Sequence, residues 1–319
     1  MQATTETTRK AKQLYVNELV GGTDIDELFA LTHAELRAGE RSGTYALMTL
    51  ADCTGTVRAI RFDVGRDRLP AAGSVLRVVG RVEGTRTARR IKVKSLRPVA
   101  DYDPRDFIAH TERQLPEMQA EFVSLVKSVG DLHLRRLINA VFHRGNVWAR
   151  FCVAPAGVAD AADTADKGGS AARIGAALAT TLRVGRLVEA VAENQTGIDR
   201  DLLVTAACLH LVGCVDAFQL TGVVSATPAA AALPISQLSL YRLHEASSAL
   251  SPERRAQLEA VVHSGDAAGR TGPHTKQTIA VGEAQLFAAC VQIDTLADTM
   301  GEQSHREKGF YHVARAAAC

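Results

Sequence analysis

The chain has 319 residues, 46% hydrophobic and 23% charged, with a formal net charge of +2; these values exclude wholesale disorder and leave room for two domains with buried cores. No apolar run approaches the roughly 20 residues of a membrane helix, and the polar, Thr-rich start Met1 to Lys12 has no secretory pattern. A cytoplasmic chain without membrane contact is expected.

The charge is unevenly spread: residues 1–98 carry 17 Lys/Arg against 11 Asp/Glu, so the basic character belongs to the N-terminal part. The six cysteines form no C-x-x-C or other paired spacing, which predicts reduced, mostly buried thiols rather than a zinc site or disulfide framework.

From about Leu14 to Val99 the pattern is strand-like. The paired glycines of "GGTDIDELF" lack the strand context of a phosphate cradle and are assigned to a turn. The runs "GTYALMTLAD" (Gly43 to Asp52), "GTVRAIRFD" (Gly55 to Asp63), "GSVLRVVGRVE" (Gly73 to Glu83) and "RRIKVKSLRPV" (Arg89 to Val99) are β-rich and separated by Gly, Asp and Thr turns. Five or six such strands predict a small barrel. Within it Leu76, Val78 and Val82 oppose Arg77 and Arg81, and Ile91 and Val93 oppose Arg90, Lys92 and Lys94, so one hairpin turns a cationic face outward.

Beyond "DYDPRDF" (Asp101 to Phe107) the pattern turns helical. "MQAEFVSLVKSV" and "LHLRRLINAVFH" are amphipathic, "LLVTAACLHLVGCVDAF" reads as a buried helix with His210 inside it, and Ser251 and Pro252 mark an N-cap and a first helical position. A Gly/Ala-rich acidic loop, Gly157 to Ala172, and an Ala/Pro-rich break, Ser225 to Pro234, separate helices. The remainder is expected to be nearly all-α. No G-x-S-x-G or P-loop string occurs, and Cys208 and His210 fall on different faces of their helix, which excludes the common nucleophile arrangements.

This order of a basic β-barrel, a helical connector and a helical domain resembles the YhaM family of 3′-5′ exoribonucleases, which join an OB fold to an HD-type metal phosphohydrolase domain. The strings that carry it are "ADCTGTVRAIRFD", "VLRVVGRVEGTRTARRIKVKSLRP", "FCVAPA", "GIDRDLLVTAACLHLVG" and "QIDTLAD", between about Leu14 and Met300. The resemblance implies a multidomain β-then-α chain. Its parts are an N-terminal extension (1–13), an OB-fold domain (14–99), a helical connector (100–150) and an all-α HD-type domain (151–319).

It also assigns positions. The family's paired histidines fall at Ser170 and Ala171, its first ligand histidine at Thr180, its His-Asp step at His210 and Leu211, a later His-His at His263 and Ser264, and its last ligand aspartate at Asp294. Of these only His210, His263 and Asp294 keep a family residue. A leucine offers no lone pair, and one histidine with one aspartate holds a hard divalent ion poorly; a degenerate, metal-free domain with no catalytic residue and no cofactor is expected. His210 is then either a remaining ligand or an imidazole bonded to a backbone carbonyl or to Asp294.

The OB domain implies single-stranded RNA or DNA as the partner, RNA favoured. Arg58, Arg61, Arg77, Arg81, Arg90, Lys92 and Lys94 would meet phosphates, and Tyr45 and Phe62 would stack on bases. The competing reading makes the cations a solvated face and the aromatics core. Three functions follow: a strand-binding protein, an exoribonuclease using manganese or magnesium at an atypical site, or a non-catalytic subunit that pairs with itself or with a catalytic relative.

Overall fold

The computed structural model describes residues 12–39, 43–62, 69–85, 88–158, 170–247, 250–267 and 282–316. The chain forms two compact units, one built on residues up to His110 and joined by Gln219–Ser225, the other on most of the chain from Thr111 onward.

The first unit is a closed barrel of β1 (Asp24–Gly39), β2 (Gly43–Asp52), β3 (Gly55–Arg61), β4 (Val75–Glu83) and β5 (Arg90–Pro98), in the order β1-β2-β3-β5-β4. Every pairing is antiparallel except β3 with β5. This is the five-stranded Greek-key arrangement of an OB fold. The glycines of "GGTDIDELF" do form a turn, but Asp24 onward is strand, the longest of the barrel.

Strand alternation sends Phe29, Leu31, Leu50, Leu76, Val78, Val82 and Ile91 into the core. Where the β4–β5 register shifts, a Cβ on Gly80 would stand 2.4 Å from the Lys92 carbonyl oxygen, so only glycine allows the strands to approach. The Lys12 ammonium is fully buried: it donates to the Leu28 carbonyl at 2.6 Å and pairs with Asp52 at 3.2 Å. Asp52 also accepts from the Val16 amide at 2.7 Å, and Glu27 accepts from the Gln13 and Leu14 amides, so this polar network holds the segment entering the barrel.

The second unit contains α1 (Leu115–Ser128), α2 (Leu132–His143), α3 (Val147–Val153), α4 (Ala176–Glu193), α5 (Arg200–Leu209), α6 (Cys214–Ala217), α7 (Pro228–Ala232), α8 (Ile235–Ala246), α9 (Pro252–Ala267) and α10 (Gly282–Ala316). Helices α1 to α3 share one core with α4, α5, α9 and α10, through Phe122, Ile138, Phe151, Leu182, Val204, Val261 and Phe287. Asp131 caps α2, Asp199 caps α5, and Ser251 accepts from the Arg254 amide at the start of α9.

Two expectations change. The region expected to be all-α contains a hairpin, β6 (Phe218–Leu220) and β7 (Val224–Ala226), whose residues 219–225 group with the barrel through the Gly222 amide on the Gly73 carbonyl. Within the Ser225–Pro234 break, Thr227 caps the short helix α7, accepting from the Ala230 amide at 3.3 Å. Most of the Gly157 to Ala172 loop lies outside the described residues; Ser170–Ala172 forms a 3-10 turn. Among the described residues no helix is long and apolar enough to cross a membrane, and four of the five described cysteines are buried.

Candidate functional site

The register of β2, β3 and β5 gathers one outward face of the barrel. Leu47 stands opposite Ile60, Thr49 opposite Arg58, Ile60 beside Lys92 and Arg58 beside Arg90. One step beyond the Ala46–Arg61 pair, Tyr45 meets Phe62 with ring centroids 6.2 Å apart. The Lys92 ammonium lies 5.8 Å from the Phe62 centroid, within cation–π range. Phe62 is exposed and Tyr45 half-buried, so neither belongs to the core.

The cations expected to act together are divided by their partners. Arg77 grips Asp26 with two bonds of 2.6 Å, Arg81 and Lys94 both reach Asp24, and Arg90 pairs with Glu83. The cationic residues of the hairpin do face outward, but β1 lies antiparallel to β4 and lays Asp24 opposite Arg81, so acidic residues of β1 neutralise the β1–β4 side. Arg61 has the strand parity of the buried Val57 and Ala59 and stands half-buried opposite Ala46, whereas Arg58 is exposed. Among the described residues no ion pair joins Arg58 or Lys92 to a carboxylate; Lys92 lies beside Phe62, and Arg58 stands on the same strand face four residues before it.

In the helical unit, Thr180 and Arg183 of α4, His210 and Leu211 beyond α5, Ala171, and Asp294 and Asp298 of α10 line one cavity of about 230 Å³. Four positions expected at a degenerate metal site, Thr180, His210, Leu211 and Asp294, thus converge. His263 does not: it is exposed on α9 and lines no described cavity, while its neighbours Val262 and Gly265 reach the wall.

The His210 ring bonds the Ala207 carbonyl through Nδ1 at 2.8 Å and meets Phe287 edge-on at 5.5 Å. A backbone carbonyl is thus one partner of the imidazole, while both oxygens of Asp294 accept from another group. The turn after His210 is fixed from α8, since Ser239 Oγ donates to the His210 carbonyl and accepts from the Gly213 amide.

Asp294 is held by Arg183. The guanidinium donates from Nε at 2.6 Å and from Nη2 at 3.0 Å to the two carboxylate oxygens, and to Thr180 Oγ1 at 3.1 Å. Burial opposes the Arg183 charge, but Asp294 and Asp298 outweigh it and raise its pKa. A divalent ion does not fit these residues. Both oxygens of Asp294, the carboxylate at the family's ligand position, are engaged by Arg183, and Leu211 adds an apolar wall where a ligand would be needed. Among the described residues no group of three or more His, Cys, Asp or Glu is placed to hold a metal.

Comparison with known proteins concerns the barrel. It is similar to the second OB-fold domain of replication protein A from Methanococcus maripaludis, with 14% identity and a TM-score of 0.22, over 27% of this chain and 93% of that one. It is also similar to a replication protein A heterotrimer bound to single-stranded DNA, with 15% identity and a TM-score of 0.21, over 27% of this chain and 64% of that one. No family model and no curated protein matches the chain.

Sequence reasoning missed Arg183, although a signal was present: it lies three residues after Thr180 and so shares its helix face. Asp24 and Asp26 carried no such signal, because their partners lie 57 and 51 residues away.

Proposed function

We propose that the barrel binds single-stranded nucleic acid across β2, β3 and β5, with Tyr45 and Phe62 stacking on bases and Arg58 and Lys92 meeting phosphates. The observation that carries this is the pairing of Tyr45 with Phe62 on an outward strand face, with Lys92 beside the pair and Arg58 further along the same face, neither ion-paired with a carboxylate among the described residues. Base stacking and a cationic track are the two elements of sequence-tolerant strand binding on OB folds, which use the face of strands 2 and 3. The YhaM-like resemblance favours RNA.

The test is fluorescence anisotropy of the full chain with labelled oligonucleotides of RNA, single-stranded DNA and duplex DNA at several salt concentrations. Phe62→Ala should weaken single-strand affinity by about 5- to 150-fold, equivalent to 1–3 kcal/mol per stacked base. Lys92→Ala should flatten the salt dependence by about 0.7 in the log–log slope. Arg77→Ala should do less, because Asp26 already neutralises Arg77. Equal effects of Lys92→Ala and Arg77→Ala, or no binding at low salt, would refute the assignment.

For the helical unit we propose a degenerate HD-type domain that does not hydrolyse phosphodiesters. The convergence of Thr180, His210, Leu211 and Asp294 on one cavity supports the family correspondence, and the Arg183–Asp294 pair supports the loss of catalysis. Manganese-dependent shortening of a 3′-labelled RNA, abolished by Asp294→Ala, would overturn it.

A further inference from the structure

We propose that a second cavity of the helical unit, about 330 Å³ in volume and walled by Arg113, Arg173, Arg183 and Arg186, binds a small phosphorylated anion. The proposal is independent of strand binding by the barrel. It rests on how the four guanidiniums spend their donors.

Each guanidinium has five N–H donors. Arg113 and Arg186 share a single carboxylate, Glu121, at 2.5 and 2.7 Å. Among the described residues the one carboxylate near Arg173 is Glu112, at 3.8 Å, and that glutamate is 82% exposed. Arg113 Nη1 and Arg173 Nε are buried and have no hydrogen-bond acceptor among the described residues. Leaving charged donors buried without an acceptor is costly, and folds retain such groups where a ligand uses them.

Charge alone does not make the site, because Glu112, Glu121, Asp294 and Asp298 formally balance the four arginines. Direction does. Glu121 and Asp294 do not line this cavity, and of the two acidic residues that do, Asp298 already accepts from Ser170 and lies 3.8 Å from Arg183. The wall therefore carries four guanidiniums whose donors are only partly used, and Ala176 at the N-terminal end of α4 adds to the same positive potential. Planar forks match oxyanions with several acceptor oxygens, and phosphate is the biological oxyanion that offers three or more. The volume lies at the small end of ligand pockets, which favours a small molecule over a polymer segment.

The experiment is isothermal titration of the full chain with inorganic pyrophosphate and with a nucleoside monophosphate, sodium chloride being used to match ionic strength. Saturable binding of either probe is expected. Arg173→Met should weaken it by about tenfold or more, while an exposed barrel variant, Arg97→Met, should leave it unchanged. Without ligand, Arg173→Met should melt no lower than the wild type, because the substitution removes an unsatisfied buried donor.

Binding of pyrophosphate alone would mean that phosphate suffices, and binding of the monophosphate alone would identify a nucleotide; both uphold the site. No binding of either probe at millimolar concentration would overturn it. So would an equal loss in Arg97→Met, or an Arg173→Met protein that melts lower yet binds as before.

Discussion

Arg183→Met is the sharpest test of the helical site. The Asp294 side chain is 7% exposed and loses both of its guanidinium bonds in this variant. Removing one partner of a buried pair costs about 3–5 kcal/mol. Arg183 itself is 38% exposed, so water screens the pair and the expectation falls to about 2–3 kcal/mol. Asp294→Asn should cost less, about 1 kcal/mol, because the freed guanidinium can turn to solvent. The double variant should cost less than the sum, by about 1–2 kcal/mol of coupling. For a domain of this size the Arg183→Met loss corresponds to a melting temperature lower by about 4–12 °C, followed by far-UV circular dichroism, which the helices dominate. Manganese or magnesium should not move the wild-type transition. An Arg183→Met protein that melts like the wild type would refute the reasoning, as would a wild-type protein stabilised by manganese.

Three further outcomes follow from the same geometry. Lys12→Ala should destabilise the barrel by about 3–5 kcal/mol, measured by denaturant unfolding, because buried Asp52 and the Leu28 carbonyl lose their cation. Gly213→Ala should cost about 1–3 kcal/mol, since its Cβ would stand 2.6 Å from both the Ile235 oxygen and the Ser239 nitrogen. The third concerns acid. Burial pushes Glu121 and Asp199 up, but Arg113 and Arg186 on the first, and Arg254 with the Leu202 amide on the second, outweigh it and hold both carboxyls below their ordinary range. Their stabilisation is therefore present above about pH 4 and lost as pH falls through the lowered values. Melting temperatures should drop below about pH 4, and Asp199→Asn should flatten that drop; an unchanged profile would remove Asp199 from the account.

Local periodicity made much of the architecture legible. "LHLRRLINAVFH" is α2 residue for residue, and Ser251 and Pro252 start α9, because caps and apolar spacing act within a few residues of chain. The β6–β7 hairpin escaped, since strands of three residues carry too little alternation to outweigh the helical pattern around them. At the barrel, residue type and parity placed Tyr45, Phe62, Arg58 and Lys92 on the surface strands, but the loss of Arg77 and Arg81 to aspartates was hidden in the β1–β4 register.

The sequence by itself determined the order of a β-barrel and a helical unit, the outward set of the cations except Arg61, and the absence of a ligand at Leu211, since each follows from side-chain chemistry or short-range spacing. Only the tertiary structure decided which charges remain available. Asp26 reaches Arg77 from 51 residues away and Asp294 reaches Arg183 from 111, and no local pattern records a carboxylate brought that far. A guanidinium's role depends on the acceptor it meets: Arg183 braces α10, Arg77 is neutralised, and Arg173 keeps a buried donor without an acceptor among the described residues.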